Sequence, residues 1–360
     1  MINDIDIQIE KILKESSERA EANGTLTAEQ LAVAYANKWF KIFAPPQYGG
    51  LNMSLPEALR LEEDLARIDG SLGWTVTLCA GANMFVGYIA PGLADEIFHD
   101  EKICLGGSGA ATGSAEVLAD GYRVNGYWKY ATGAPHLTHF TANCKLVQNG
   151  QLLTNENGQA VIRSFIFTKD EVILHHTWNP MGLIATASYD FEIKNRIIPK
   201  ERMFLIDVKH SNFDDPVYQY PFLQFAETTI AVNSLGMAEH FIDEVQRVFK
   251  LKFEEGKINE EKYARLQKQL DFANHFLQKN REQFYDLVDQ SWEQLATTKT
   301  IAHALLERIS FLSKGIAKSA RELVTEIYPL CGISATQKGT VINRIFRDLF
   351  TGSQHSLLSS

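Results

Sequence analysis

The chain has no block of Lys or Arg longer than a pair, and 35 basic residues stand against 44 acidic ones, a formal charge of −9. That balance excludes the basic footprint of a nucleic-acid surface. Cysteine is scarce: Cys79, Cys104, Cys144 and Cys331 are far apart, with no CxxC and no histidine at ligand spacing. Neither a disulfide framework nor a metal site is expected, and a reducing cytoplasm suits such thiols. The N-terminus lacks the basic and apolar regions of a secretory signal. Charge is also missing from Ser71 to Ala94, long enough to span a bilayer at ~20 residues. Its glycines, two threonines, Asn83 and Pro91, between acidic flanks, instead suit a pair of buried helices with no membrane contact.

What is present is ordinary globular composition, 45% apolar and 22% charged, enough for about two or three domains. Residues 1–102 read as helical: Ile5, Ile9, Ile12 and Leu13 recur at helical spacing. A Ser54-x-x-Glu57 capping box then opens a stripe through Leu55, Leu59 and Leu65. Between them, Pro45, Pro46, Gly49 and Gly50 mark a loop. Residues 103–221 change period, with a turn signal from Gly121 to Gly126 and strand-like runs at 161–167 and 188–193. Residues 222–360 return to the helical period, with apolar stripes from Leu235 to Phe249, Tyr263 to Val288 and Ile301 to Ile327, and a short fourth near Val341. The expected class is α+β: a helical N-terminal domain, a small middle β domain and a C-terminal four-helix bundle.

Several ordered segments carry a resemblance: Pro46-Gln47-Tyr48-Gly49-Gly50, Asn125-Gly126, Tyr130-Ala131-Thr132, Met181-Gly182 with Ile197 through Arg202, and Arg347-Asp348. Over roughly residues 40 to 360 their order resembles the acyl-CoA dehydrogenase superfamily. The closer likeness is to its flavin-dependent monooxygenases, which receive reduced flavin from a separate reductase. Gly113 to Glu116, Trp128 to Gly133 and Gln354-His355 carry it.

The resemblance implies a flavin, FAD or FMN, although the family's motifs for the adenylate half are missing. An isoalloxazine ring needs a flat face, a donor near N5 and O4, and close backbone. Tyr130 is the candidate face, Thr132 the donor, and Gly106, Gly107 and Ser108 the backbone. The alternative for these residues is a plain hairpin with cross-strand pairing. His355, seven residues after Asp348, matches a histidine that moves a proton beside the flavin. The glutamate base of the dehydrogenases would fall near Ser356, which cannot serve. Glu227, one position from a second base location used by some members, is the alternative base.

Trp74 and Asn83 are expected at a substrate pocket. His136 and His139 read as loop-capping residues, and Arg347-Asp348 as an intra-bundle salt bridge. The implied partners are a small organic substrate or an acyl-CoA, a flavin reductase, and copies of the chain in a homotetramer. The rival functions are acyl-CoA dehydrogenase and a flavin-free binding protein on the same fold.

Overall fold

A computed structural model describes residues 5–359; residues 1–4 and 360, at the outer limits of the two helical segments, lie outside the described residues. The chain opens with α1 (Ile7–Asn23) and α2 (Ala28–Ala36). α3 (Leu55–Ile68) starts at the expected capping box, in which the Ser54 N–H donates to the Glu57 carboxylate at 3.0 Å. α4 (Gly70–Asn83) follows directly, capped by Asp69, whose carboxylate accepts from the Leu72 N–H at 2.7 Å. The uncharged stretch is therefore α4, a 3₁₀ turn and the start of α5 (Pro91–Phe98). Because α4 is covered by neighbours all round, it has no polar stripe. No helix among the described residues is long and apolar enough to cross a membrane.

The sheet comprises β1 (Leu105–Leu118), β2 (Gly121–Ala131), β3 (His139–Gln148), β4 (Gln151–Leu152), β5 (Ile162–Thr168), β6 (Ile173–His175), β7 (Tyr189–Ile198) and β8 (Met203–Phe204). Their order is β6-β7-β2-β1-β3-β5-β8, with β4 on β3; β1 and β3 run parallel and the remaining pairs antiparallel. The fully buried Trp128 fixes the centre. Its indole stacks on Phe191 at 5.2 Å and donates to the Asn143 carbonyl at 3.0 Å. A Cβ at Gly113 would lie 2.1 Å from that indole and one at Gly126 2.6 Å, so the two glycines are the space the tryptophan occupies.

After α6 (Pro216–Gln219) come four long or capping helices: α7 (Phe222–Glu254), α8 (Glu260–Thr298), α9 (His303–Ile327) and α10 (Val341–Gly352). α7 is the axis, packed on α3, α4, α8, α9 and α10. The expected Arg347–Asp348 salt bridge is replaced by two separate clamps. Arg347 reaches Glu21 of α1, Asn343 and the Met181 carbonyl, while Asp348 accepts from the Leu183 N–H at 2.5 Å. Together they fasten the segment before β7, and α1, onto α10.

Candidate active site

A cavity of about 230 Å³ lies where α4, the sheet and α7 meet the turn after α10. One wall is the Gly106–Gly109 backbone with Tyr130 and Thr132; the other is apolar, from Leu78, Phe85, Phe204, Ile206, Phe222 and Phe225. Gly107 (φ +156°) has no room for a side chain: a Cβ would sit 1.9 Å from the Thr141 carbonyl oxygen. The backbone itself therefore faces the cavity.

Tyr130 is held in the left-handed region at φ +69° and is 61% exposed, an unusual conformation for a bulky residue. Its cause is a slip of register between β2 and β7 from Trp128 to Ala131. Asp190 holds the irregular strand, accepting from the Tyr130 N–H at 3.3 Å and the Tyr127 hydroxyl at 2.7 Å. Trp178 lies edge-on to the Tyr130 ring at 5.8 Å.

Thr132 is buried, and its hydroxyl pairs with Ser188 at 3.0 Å. Ser188 pairs with Thr186 at 2.8 Å, and Thr186 donates to the Leu183 carbonyl at 2.8 Å. The chain of hydroxyls leaves Thr132 anchored and still in the wall.

His355 also lines the cavity. Its Nδ1 accepts from the Leu357 N–H at 3.3 Å, which places the neutral ring's proton on Nε2. Burial lowers its pKa, so the uncharged imidazole is favoured at neutrality. Trp74 is not itself in the cavity wall; it packs edge-on behind His355, rings 5.8 Å apart.

Two candidates are corrected. Asn83 is fully buried and turned from the cavity, donating to the Phe40 carbonyl at 2.7 Å and accepting from the Leu105 N–H at 3.0 Å. With both ends of its amide engaged by backbone, it braces the start of β1 and is not available to substrate. Glu227, 2% exposed, faces α9, accepting from the Ser310 hydroxyl at 2.5 Å with the Lys314 ammonium 3.7 Å away. The neighbouring Ala226 faces the cavity. One residue turns a helix about 100°, so the position that could present a base carries a methyl group.

Sequence separation also hid a cluster: Cys79, Cys104 and His136, far apart along the chain, place their ligand atoms within 4.8 Å of one another. His136 caps no loop, because neither ring nitrogen has a hydrogen-bond partner.

Residues 228–360 match the family model for the acyl-CoA dehydrogenase, C-terminal domain. The match falls on the C-terminal bundle. The whole chain is similar to the indole-3-acetate monooxygenase of Pseudomonas putida, 22% identical over 325 residues, covering 89% of this chain and 80% of that protein. It is also similar to HsaA, the oxygenase subunit of a flavin-dependent monooxygenase of Rhodococcus jostii (strain RHA1), 21% identical with 96% of this chain and 91% of that one covered. The crystal structure of 3-HSA hydroxylase from Rhodococcus sp. RHA1 superposes with a TM-score of 0.88 at 18% identity, covering 98% of this chain and 91% of that one. The fold is therefore acyl-CoA dehydrogenase-like throughout. Ser188, Thr186, Asp190 and Trp178, which motif reading did not single out, contact Thr132 and Tyr130 from behind the cavity wall, Thr186 through Ser188. They carry no motif of their own.

Proposed function

We propose that this chain is the oxygenase component of a two-component flavin-dependent monooxygenase acting on a small, largely apolar organic substrate. One observation carries the choice over acyl-CoA dehydrogenase: the cavity wall contains no carboxylate, and its imidazole, His355, stands where Glu227 does not. Abstracting the α-proton of a thioester requires a carboxylate over the ring, and Ala226 cannot supply one.

The wall fits a flavin, FAD or FMN. The Gly106–Ser108 backbone allows close approach, the Thr132 hydroxyl offers a hydrogen bond to the ring edge, and Tyr130 offers an aromatic face. Reduced flavin, when bound, supplies the electrons that activate O₂. The protein's own contribution is exclusion of water by Leu78, Phe85, Phe204 and Phe222 and control of one proton at His355 Nε2. Trp74 and the Leu357 N–H fix the ring's orientation.

A separate flavin reductase is the expected partner, and the reducing cytoplasm the expected setting, consistent with four free thiols. A homotetramer is proposed because Phe272 on α8, Phe311 on α9 and Ile333 are exposed at 73%, 76% and 86%, apolar area that neighbouring bundles would cover.

The test feeds the protein with NADH, a flavin reductase and FAD or FMN, and scores product against hydrogen peroxide over a panel of small aromatic substrates. His355→Ala should retain flavin binding and release a larger share of peroxide, whereas Glu227→Gln should leave the partition unchanged. Anaerobic bleaching of bound oxidised flavin by acyl-CoA, abolished in Glu227→Gln, would refute the assignment.

A further inference from the structure

Behind the cofactor wall lies a second constellation that the proposed chemistry does not use. α4 brings Cys79, the residue preceding β1 brings Cys104, and the turn between β2 and β3 brings His136, with ligand atoms within 4.8 Å of one another. Both thiols are fully buried. Both ring nitrogens of His136 are shielded from water and unpartnered, an unfavourable state for a group that normally both donates and accepts. The cluster is closely packed. Gly133, at φ +76°, would with a Cβ come within 2.6 Å of the imidazole Cε1 and 3.3 Å of the Cys79 Sγ. Phe40 covers the ring at 5.5 Å between centroids.

We propose that Cys79, Cys104 and His136 bind one zinc ion, which ties α4, β1 and the 133–138 turn together behind the cavity wall. The donor set suits zinc, which takes thiolate sulfur at about 2.3 Å and imidazole nitrogen at about 2.0–2.1 Å. Binding releases the two thiol protons, and the two thiolates then neutralise the dication, so no net charge is buried. The site also touches the cofactor wall: the Cys79 Sγ lies 3.8 Å from the Thr132 carbonyl oxygen.

The experiment uses the full chain and needs no flavin, so its outcome is independent of the monooxygenase reading. Protein stripped with a chelator under anaerobic, reducing conditions is titrated with Co²⁺, followed by Zn²⁺. Binding of one equivalent per chain, with sulfur-to-cobalt charge-transfer absorption that Zn²⁺ abolishes, is expected. The band should be lost in Cys104→Ser and in His136→Asn, and kept in Cys144→Ser, which alters a buried thiol outside the cluster. The titration of the parent protein decides the matter even where a variant folds poorly. Absence of the band with all thiols reduced overturns the proposal, as does its survival in Cys104→Ser. A Cys79–Cys104 disulfide formed in air, with no cobalt uptake after reduction, overturns it too.

Discussion

Replacing Thr132 by valine keeps the shape of the side chain and removes a single hydroxyl. In the parent that hydroxyl pairs with Ser188 at 3.0 Å, and Ser188 retains Thr186 at 2.8 Å when it is gone. The fold therefore loses one neutral hydrogen bond, about 0.5–1.5 kcal/mol. The flavin loses more: Thr186 spends its proton on the Leu183 carbonyl, so Ser188 donates to Thr186 and Thr132 to Ser188, and the Thr132 oxygen meets the ring as an acceptor whose removal leaves a ring N–H enclosed without a partner. An unpaired buried group costs about 1–3 kcal/mol, a rise in Kd of roughly 5- to 150-fold. Titration of FAD and FMN into Thr132→Val, followed by flavin fluorescence or absorbance, measures it directly. Ser188→Ala is the control: it cuts the relay but leaves the Thr132 hydroxyl free to face the ring, and should weaken binding less. Unchanged affinity in Thr132→Val, or an equal loss in both variants, would show that the ring does not sit against this strand.

Three further outcomes are expected. Asn83→Ala should lower the thermal midpoint, because the Phe40 carbonyl and the Leu105 N–H lose their partner at about 1–3 kcal/mol each if no water replaces it; substrate KM in the material that remains folded should stay at the parent value. Asp348 has its pKa raised to about 7, chiefly by burial. The native state thus holds a proton that the unfolded chain releases near pH 4, and the stability this confers is complete below that pH and lost as pH rises through 7, with a slope of at most about 1.4 kcal/mol per pH unit. Denaturant titrations from pH 4 to 8 should show that slope in the parent and a flatter profile in Asp348→Asn. Light scattering at micromolar concentration should give the mass of four chains, and a strictly monomeric mass counts against the packing proposed for Phe272 and Phe311.

The order of elements was legible in the sequence because it is written in local periodicity. The stripe from Leu235 to Phe249 has to be a helix in any context, and Ser54 with Glu57 caps α3 without help from the rest of the chain. Motif order pointed to Tyr130, Thr132 and His355, and the ring's need for close backbone to Gly106, Gly107 and Ser108; all six line one cavity. Direction was not legible. Whether Glu227 or Ala226 faces that cavity depends on the rotation of α7 against α9, which packing sets, and Asn83 is taken from the substrate by two backbone groups 43 and 22 residues away. Arg347 and Asp348, adjacent in sequence, point to different partners for the same reason. Above all, Cys79, Cys104 and His136 have no spacing that suggests a site. Their convergence exists only once β1 pairs in parallel with β3 and α4 packs across its start, because a metal-ligand cluster depends on distances through space and a one-dimensional spacing rule sees only distances along the chain.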